Sequence, residues 1–329
     1  MQYYRHSTAK TLTAVIFMTV VISLSTSMAS AALPPLDEAQ RAVLTGIPED
    51  PAPKSLVRGN HYVISNEDRP HLFHHALDKR GGVMVGVGTD QLYVYAGWAR
   101  SELLIPMDFD RTVVDLHRIY GLLFTQAATP AEFIKLWHKR NEKTVRGWLD
   151  AHETDPVLRE RLGYAFKIGR QLVYARLKRL HREYKRSSTP TFVSDQAQYD
   201  HLVDLIRSGR FHPVRGDLTK TGCMKGMGEA LVKLGHTLDV IYLSNAEQYF
   251  DFKQPFRDNF LNLPIDDSSL VLRTSPRNGG KGQYRYETQR TVDFQAWLKR
   301  PKVKRVKQIR RHRKAGPEKD TSIFPAPPE

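Results

Sequence analysis

Five short apolar runs, each closing on a polar or acidic residue, alternate along the chain with stretches of helical period. They are residues 83–90 (VMVGVGTD), 103–110 (LLIPMDFD), 191–195 (TFVSD), 211–217 (FHPVRGD) and 240–245 (VIYLSN). Near-continuous apolar runs mark strands buried on both faces, as in a parallel sheet covered by helices. Residues 269–274 read as a further strand, and the alternating 284–289 (YRYETQ) as an antiparallel edge strand or hairpin arm. Residues 113–124 are apolar enough for a largely buried helix, and Thr129-Pro130 caps and starts another. Leu158, Leu162, Ala165, Ile168, Leu172, Leu177 and Leu180 then recur mostly at three- and four-residue spacing. This predicts a helical insert over about 129–188, with later helices at 196–208, 223–234 and 252–262. The expected fold is α/β, a Rossmann-like, mostly parallel sheet with that insert.

Ligands of such sheets bind outside the carboxyl ends of the strands. Asp90, Asp108, Asp110, Asp195, Asp217 and Asn245 gather there in this reading, and a small polar ligand is the expected partner. Gly86-Val-Gly88-Thr-Asp90-Gln91 follows the first strand, where glycines let backbone approach a ligand. Gln91 stands in place of the third glycine of a dinucleotide fingerprint, so the two glycines serve either a ligand or tight packing. Asp108 and Asp110 suit ribose hydroxyls or a hard cation; Asp110 also suits the cap of the next helix, which leaves Asp108 the stronger candidate. Asn245, Glu247 and Tyr249 crowd the end of a later strand and suit acid–base work, although Asn245 and Glu247 also suit a helix start. Asp217, after Arg215-Gly216, is a weaker ligand candidate for the same reason. No G-x-S-x-G, H-E-x-x-H or Walker loop occurs, which argues against a serine α/β-hydrolase, a zincin and a P-loop NTPase.

The ends of the chain differ from this body. Arg5 and Lys10 precede a largely apolar stretch from Thr11 to about Ser27, and Ala29-Ser30-Ala31 offers a small-x-small cleavage site. This is the pattern of a secretory signal peptide over residues 1–31, with a retained anchor as the competing reading. Cleavage leaves no transmembrane segment and a periplasmic or extracellular protein. Residues 32–59 are Pro-rich and expected to form a linker or loosely packed arm, ahead of a domain spanning 60–298. The net charge of +15 is concentrated: residues 299–314, from Lys299 to Lys314, hold ten Lys and Arg and no acid. The whole of 299–329 is expected to be a disordered basic tail, suited to anionic envelope lipid or polymer. Without aromatics to stack on bases, and with export, nucleic acid is not the expected partner. His71, His74 and His75 invite a metal reading, but one short segment rarely supplies convergent ligands, and no metal site is assigned. Cys223 is alone, so no intramolecular disulfide forms, and a small buried hydrophobe is its expected role.

The stretches GVGTDQLYVYAGWARSELLIPMDFD, VVDLHRIY and YLSNAEQYF resemble an uncharacterised family of bacterial exported proteins. The resemblance implies a strand order similar to the class I S-adenosylmethionine methyltransferase-like Rossmann fold, and S-adenosylmethionine as the cofactor to test. On it, Gly86 and Gly88 occupy the glycine-bearing first motif, Asp108 or Asp110 the ribose acid, Asp195 the end of the third strand, and Asn245-Ala246-Glu247 the fourth motif. Two functions follow. One is an enzyme, or a descendant of one, possessing a strand-end site; the other is a non-catalytic envelope protein held to an anionic surface.

Overall fold

Val83, Met84, Val85, Leu103, Leu104, Ile105 and Met107 are at most 1 % exposed, the burial that their apolar runs require. The computed structural model describes residues 33–277 and 283–329; the expected signal over 1–31 lies outside them. In order come α1 (Glu38–Thr45), α2 (His74–Leu77), β1 (Val83–Val87), α3 (Gln91–Ala99), β2 (Leu103–Asp108), α4 (Arg111–Gln126), α5 (Pro130–Leu136), α6 (Glu142–His152), α7 (Pro156–Tyr184) and α8 (Gln196–Arg207). There follow β3 (Val214–Arg215), α9 (Cys223–Lys233), β4 (Leu238–Tyr242), α10 (Gln254–Leu261), β5 (Leu270–Pro276), β6 (Tyr284–Arg290), α11 (Thr291–Leu298), α12 (Val306–Arg310), β7 (Lys314–Ala315) and β8 (Thr321–Phe324). The fold is α/β. Among the described residues no helix is long and apolar enough to cross a membrane.

The described strands form one eight-stranded sheet in the order β3-β2-β1-β4-β5-β6-β8-β7. Strands β3 through β5 are parallel, β6 runs antiparallel to β5, and β8 returns parallel to β6. Successive side chains of a strand face opposite layers, and the two layers are distinct. Met84, Leu104, Val240 and Tyr242 pack under α3, α4 and the helices of 130–207. Val85, Ile105, Ile241 and Val271 pack under the layer that includes α1, α9, α10 and α11. Acidic side chains start several helices by accepting backbone N–H groups: Asp37 for α1, Asp110 for α4, Asp155 for α7 and Asp195 for α8.

Several expectations are corrected. Residues 191–195 form no strand; the Thr191 carbonyl accepts from the N–H groups of Ser194 and Asp195, closing a turn. Phe192 and Val193 are fully buried, but in the helical layer. The run at 211–217 shrinks to the two residues of β3, because Pro213 has no N–H to donate, with one bridge from Phe211 to Leu104 before it. Strand β6 is no edge, since β8 pairs with its other side. The supposed loose arm is ordered by α1, with Leu36, Leu44 and Ile47 buried. The supposed disordered tail carries α12, β7 and β8, and buries Val303, Val306, Ile309 and Phe324. An apolar residue every third position, hidden among the cations, holds it down.

Candidate functional site

The end of β2 carries a partly open carboxylate. Asp108 is partly exposed, and its Oδ1 accepts the N–H of Asp110 at 2.9 Å while its Oδ2 accepts that of Gly88 at 3.3 Å. Gly88 has φ +96°, which favours glycine and turns its N–H toward β2. Its carbonyl accepts from His117 Nε2 at 2.7 Å, and His117 Nδ1 is 2.6 Å from the Tyr93 hydroxyl. Burial pushes the Asp108 carboxyl up to about 7; the two N–H bonds pull the other way, and the charge of Asp110 adds to the rise. Asp110 caps α4 through Oδ1, 2.9 Å from the N–H of Thr112, and holds His61 Nδ1 at 2.7 Å through Oδ2. The His61 ring presents Nδ1 to Asp110 and is itself partly exposed.

The neighbouring crevice, between β1 and β4 where the strand order reverses, is filled by the chain itself. Residues 61–69 cross the carboxyl ends of β2, β1, β4 and β5 to the amino end of β6. Ser65 donates its N–H to Asp90 Oδ1 at 2.7 Å, and Asp90 Oδ2 takes Arg176 Nε of α7 at 2.7 Å, with both charged side chains fully buried. Glu67 lies beyond, 1 % exposed, in a ring of hydroxyls. Tyr242, Ser244 at 3.0 Å and Thr274 at 2.9 Å donate to its Oε1, and Tyr95 at 3.3 Å to its Oε2. Burial raises the Glu67 carboxyl above its ordinary range, against these four hydrogen bonds. Asn66 reaches the Tyr284 hydroxyl at 2.7 Å, and Arg69 bonds Asp320 at 2.7 Å.

Four of the expected site residues therefore serve the interior or the opposite end of the sheet. Gly86 is a packing glycine: a methyl group there would come within 2.3 Å of Leu92 Cδ2 and 3.1 Å of Tyr242 Cβ. Asp90 belongs to the buried ion pair, and Gln91 is 2 % exposed beside Gly88. Asp195 caps α8 at the far end of the sheet. The residues after it bond Arg100 and Ala128, which follow helices running back from the strand ends.

Asn245, Glu247 and Tyr249 do not converge. Glu247 turns inward, 2 % exposed, with Oε2 2.5 Å from Arg273 Nε, and Arg273 lies between the rings of Phe294 and Phe324. Asn245 opens a short 3₁₀ turn without a side-chain cap, and Tyr249 is 54 % exposed. Asp217 folds onto its own loop, accepting from the N–H and hydroxyl of Thr219 at 2.8 and 2.7 Å.

The structure thus brings together Gly88, Asp108 and Asp110, and adds two residues that the motif reading passed over. His61 stands at the start of the expected domain, outside any motif, and Arg215 stands just before the weaker candidate Asp217. Strand register sets Arg215 beside Asp108. Both lay in view, but only pairing across the sheet distinguishes them. Nothing local marked Glu67, whose partners Ser244 and Thr274 lie 177 and 207 residues away.

Residues 62–323 match the model of the family described as Domain of unknown function (DUF7790), and the chain belongs to that family. No curated protein matches the sequence.

Proposed function

We propose that the chain binds a small polar ligand at the carboxyl ends of β1, β2 and β3 and exchanges a proton with it through Asp108. The observation that carries this reading is a partly open carboxyl at a strand end, held by two backbone N–H groups and poised near neutral pH. The His61–Asp110 pair supplies a second proton-accepting atom, Nε2, on the same rim. In this arrangement Asp108 donates when protonated and His61 accepts, while Asp110 fixes the imidazole tautomer.

A methyltransferase-like Rossmann sheet is part of this proposal. The order β3-β2-β1-β4-β5 with an antiparallel β6 next supports it. Export is proposed from the charged, apolar and small-residue pattern of residues 1–31. S-adenosylmethionine itself does not fit the arrangement. The space over Gly86 is taken by Leu92 and Tyr242, both polar groups of Gly88 are engaged, and Ser65–Glu67 fills the crevice beside β4. The likeness is one of architecture.

The test is the melting temperature of the chain against a panel of nucleotides, sugar phosphates, polyols, S-adenosylmethionine and S-adenosylhomocysteine. A ligand that binds only the folded state raises the midpoint. The expected result is a shift with a small polar member that is lost in Asp108→Asn while that variant still melts cooperatively. A shift that survives Asp108→Asn refutes the role of Asp108, and a shift with S-adenosylmethionine refutes the filled-crevice argument.

A second reading, a surface that docks on an anionic membrane or polymer, is favoured by the folded C-terminal segment. Lys299, Lys302, Lys304, Lys307, Arg311, Arg313 and Lys314 are all exposed there, on a segment anchored by Val303, Val306 and Ile309. Binding to anionic vesicles that is absent on neutral ones and abolished by salt supports it; equal binding to both rules it out.

A further inference from the structure

We infer that the strand-end site takes a phosphate-bearing small molecule, held by an arginine cluster of which Arg215 is the unsatisfied member. This inference rests on the strand-end binding proposed above and names its ligand class. Four arginines from three elements cluster at the end of β3: Arg111 and Arg118 from α4, Arg161 from α7, and Arg215 itself, which lies level with Asp108. Two carboxylates serve them. Glu49 takes Arg111 through both oxygens and Arg118 Nη2 at 3.6 Å. Asp115 takes Arg118 Nη1 at 2.6 Å, and Arg161 Nε and Nη2 at 3.0 Å each. Arg161 therefore already makes a two-pronged pair, while Arg215 makes none.

Among the described residues Arg215 has no ion pair, and its Nε is buried without a hydrogen-bond partner. Its charged surroundings include Arg111 and Arg161 as well as Glu49 and Asp50. A guanidinium set beside like charges, with an unmet buried donor, is costly unless an anion completes it. The strand register that places Arg215 level with Asp108 puts that missing anion at the proposed site. The orphaned donor of Arg215, rather than the net charge of the cluster, is what an anion would complete. The oxygens of phosphate also accept the parallel N–H pairs of a guanidinium fork. A further observation concerns Glu49. It comes from the segment after α1, outside the residues matched by the family, whereas all four arginines lie within them. Glu49 is thus a carboxylate placed over the arginine cluster, in competition with any anion that binds there.

The test uses the full chain with inorganic phosphate and pyrophosphate, followed by calorimetry, against chloride at equal ionic strength. Binding is expected to weaken at least tenfold in Arg215→Gln and to recover in part in Arg215→Lys. It is expected to tighten severalfold in Glu49→Gln, a variant that stays informative if loss of Arg215 perturbs folding. Equal affinity in the parent, Arg215→Gln and Glu49→Gln overturns the inference, as does a response matched by chloride. A phosphate-free ligand lost in Asp108→Asn but kept in Arg215→Gln overturns the phosphate class and leaves the strand-end reading standing. Phosphate binding that needs Arg215 but not Asp108 supports the cluster and refutes the role of Asp108. Tighter, Arg215-dependent binding of a DNA duplex than of pyrophosphate overturns the small-molecule class.

Discussion

Replacing Asp90 by Asn removes the charge that faces Arg176 while keeping an oxygen for the N–H of Ser65. Both partners are fully buried, at 2.7 Å, and Arg176 also donates to the Glu67 carbonyl at 3.1 Å. Its Nη1 has no described partner, and among the described residues no second carboxylate is bonded to it. Removing one side of a buried ion pair strands the other and costs about 3–5 kcal/mol. At about 2 °C per kcal/mol for a chain of this size, the melting temperature of Asp90→Asn falls by roughly 6–10 °C. The combined variant Asp90→Asn/Arg176→Met removes the stranded charge as well, and most of the loss returns. Melts of the parent, both single variants and the double variant close the cycle. A single variant within about 1 kcal/mol of the parent, or a double variant that merely sums the two losses, refutes the claim that this pair ties α7 to the turn after β1.

Three further outcomes follow from the same geometry. Gly86→Ala forces a methyl group against Leu92 and Tyr242, and overpacking of this kind lowers stability by about 1–3 kcal/mol in thermal or urea unfolding. Truncation after Leu298 uncovers β6 and removes Val306, Ile309 and Phe324 from the core, at about 1.5–3 kcal/mol each; a truncated chain that melts like the parent contradicts the folded C-terminal segment. The Asp108 carboxyl is raised in the folded state, so its protonated form favours folding, and that contribution is lost as pH climbs from about 4 through 7. Relative to the parent, Asp108→Asn therefore improves by about 1–2 kcal/mol between pH 4 and pH 8, once screening at the open rim is counted, on top of a pH-independent cost for the acceptor it loses. Urea melts at the two pH values read this directly, and a variant whose stability relative to the parent does not rise from pH 4 to pH 8 contradicts the raised carboxyl.

The parallel strands were legible because burial on both faces leaves only apolar residues in them, as in Val83–Val87 and Leu103–Asp108. The same signal misled at 191–195. Phe192 and Val193 are as buried as any strand residue, but what buries them is a layer of helices. In the C-terminal segment charge density masked the apolar spacing of Val303, Val306 and Ile309, which fixes the backbone while the lysines and arginines remain in water. Asp108 and Gly88 were readable because strand ends are local features. Asp90, Glu247 and Gly86 occupied equally suggestive positions, and only their partners Arg176, Arg273 and Leu92 show them turned inward. His61 and Arg215 acquire meaning from contacts that no window of sequence contains.

The segment laid over the strand ends also sets an order of assembly. Asn66 joins Tyr284 across 218 residues, and Arg69 joins Asp320 across 251. A chain emerging from the ribosome makes residues 61–69 early and cannot seat them fully until β6 and the Asp320 turn appear. Contacts of such long separation pay their loop-closure entropy before any bond rewards them, which slows folding. Throughout synthesis β6 has an open side, which β8 covers only when residues 321–324 arrive. Completion of the sheet therefore waits for residues 321–324, and a chain stalled before them is the species most exposed to aggregation.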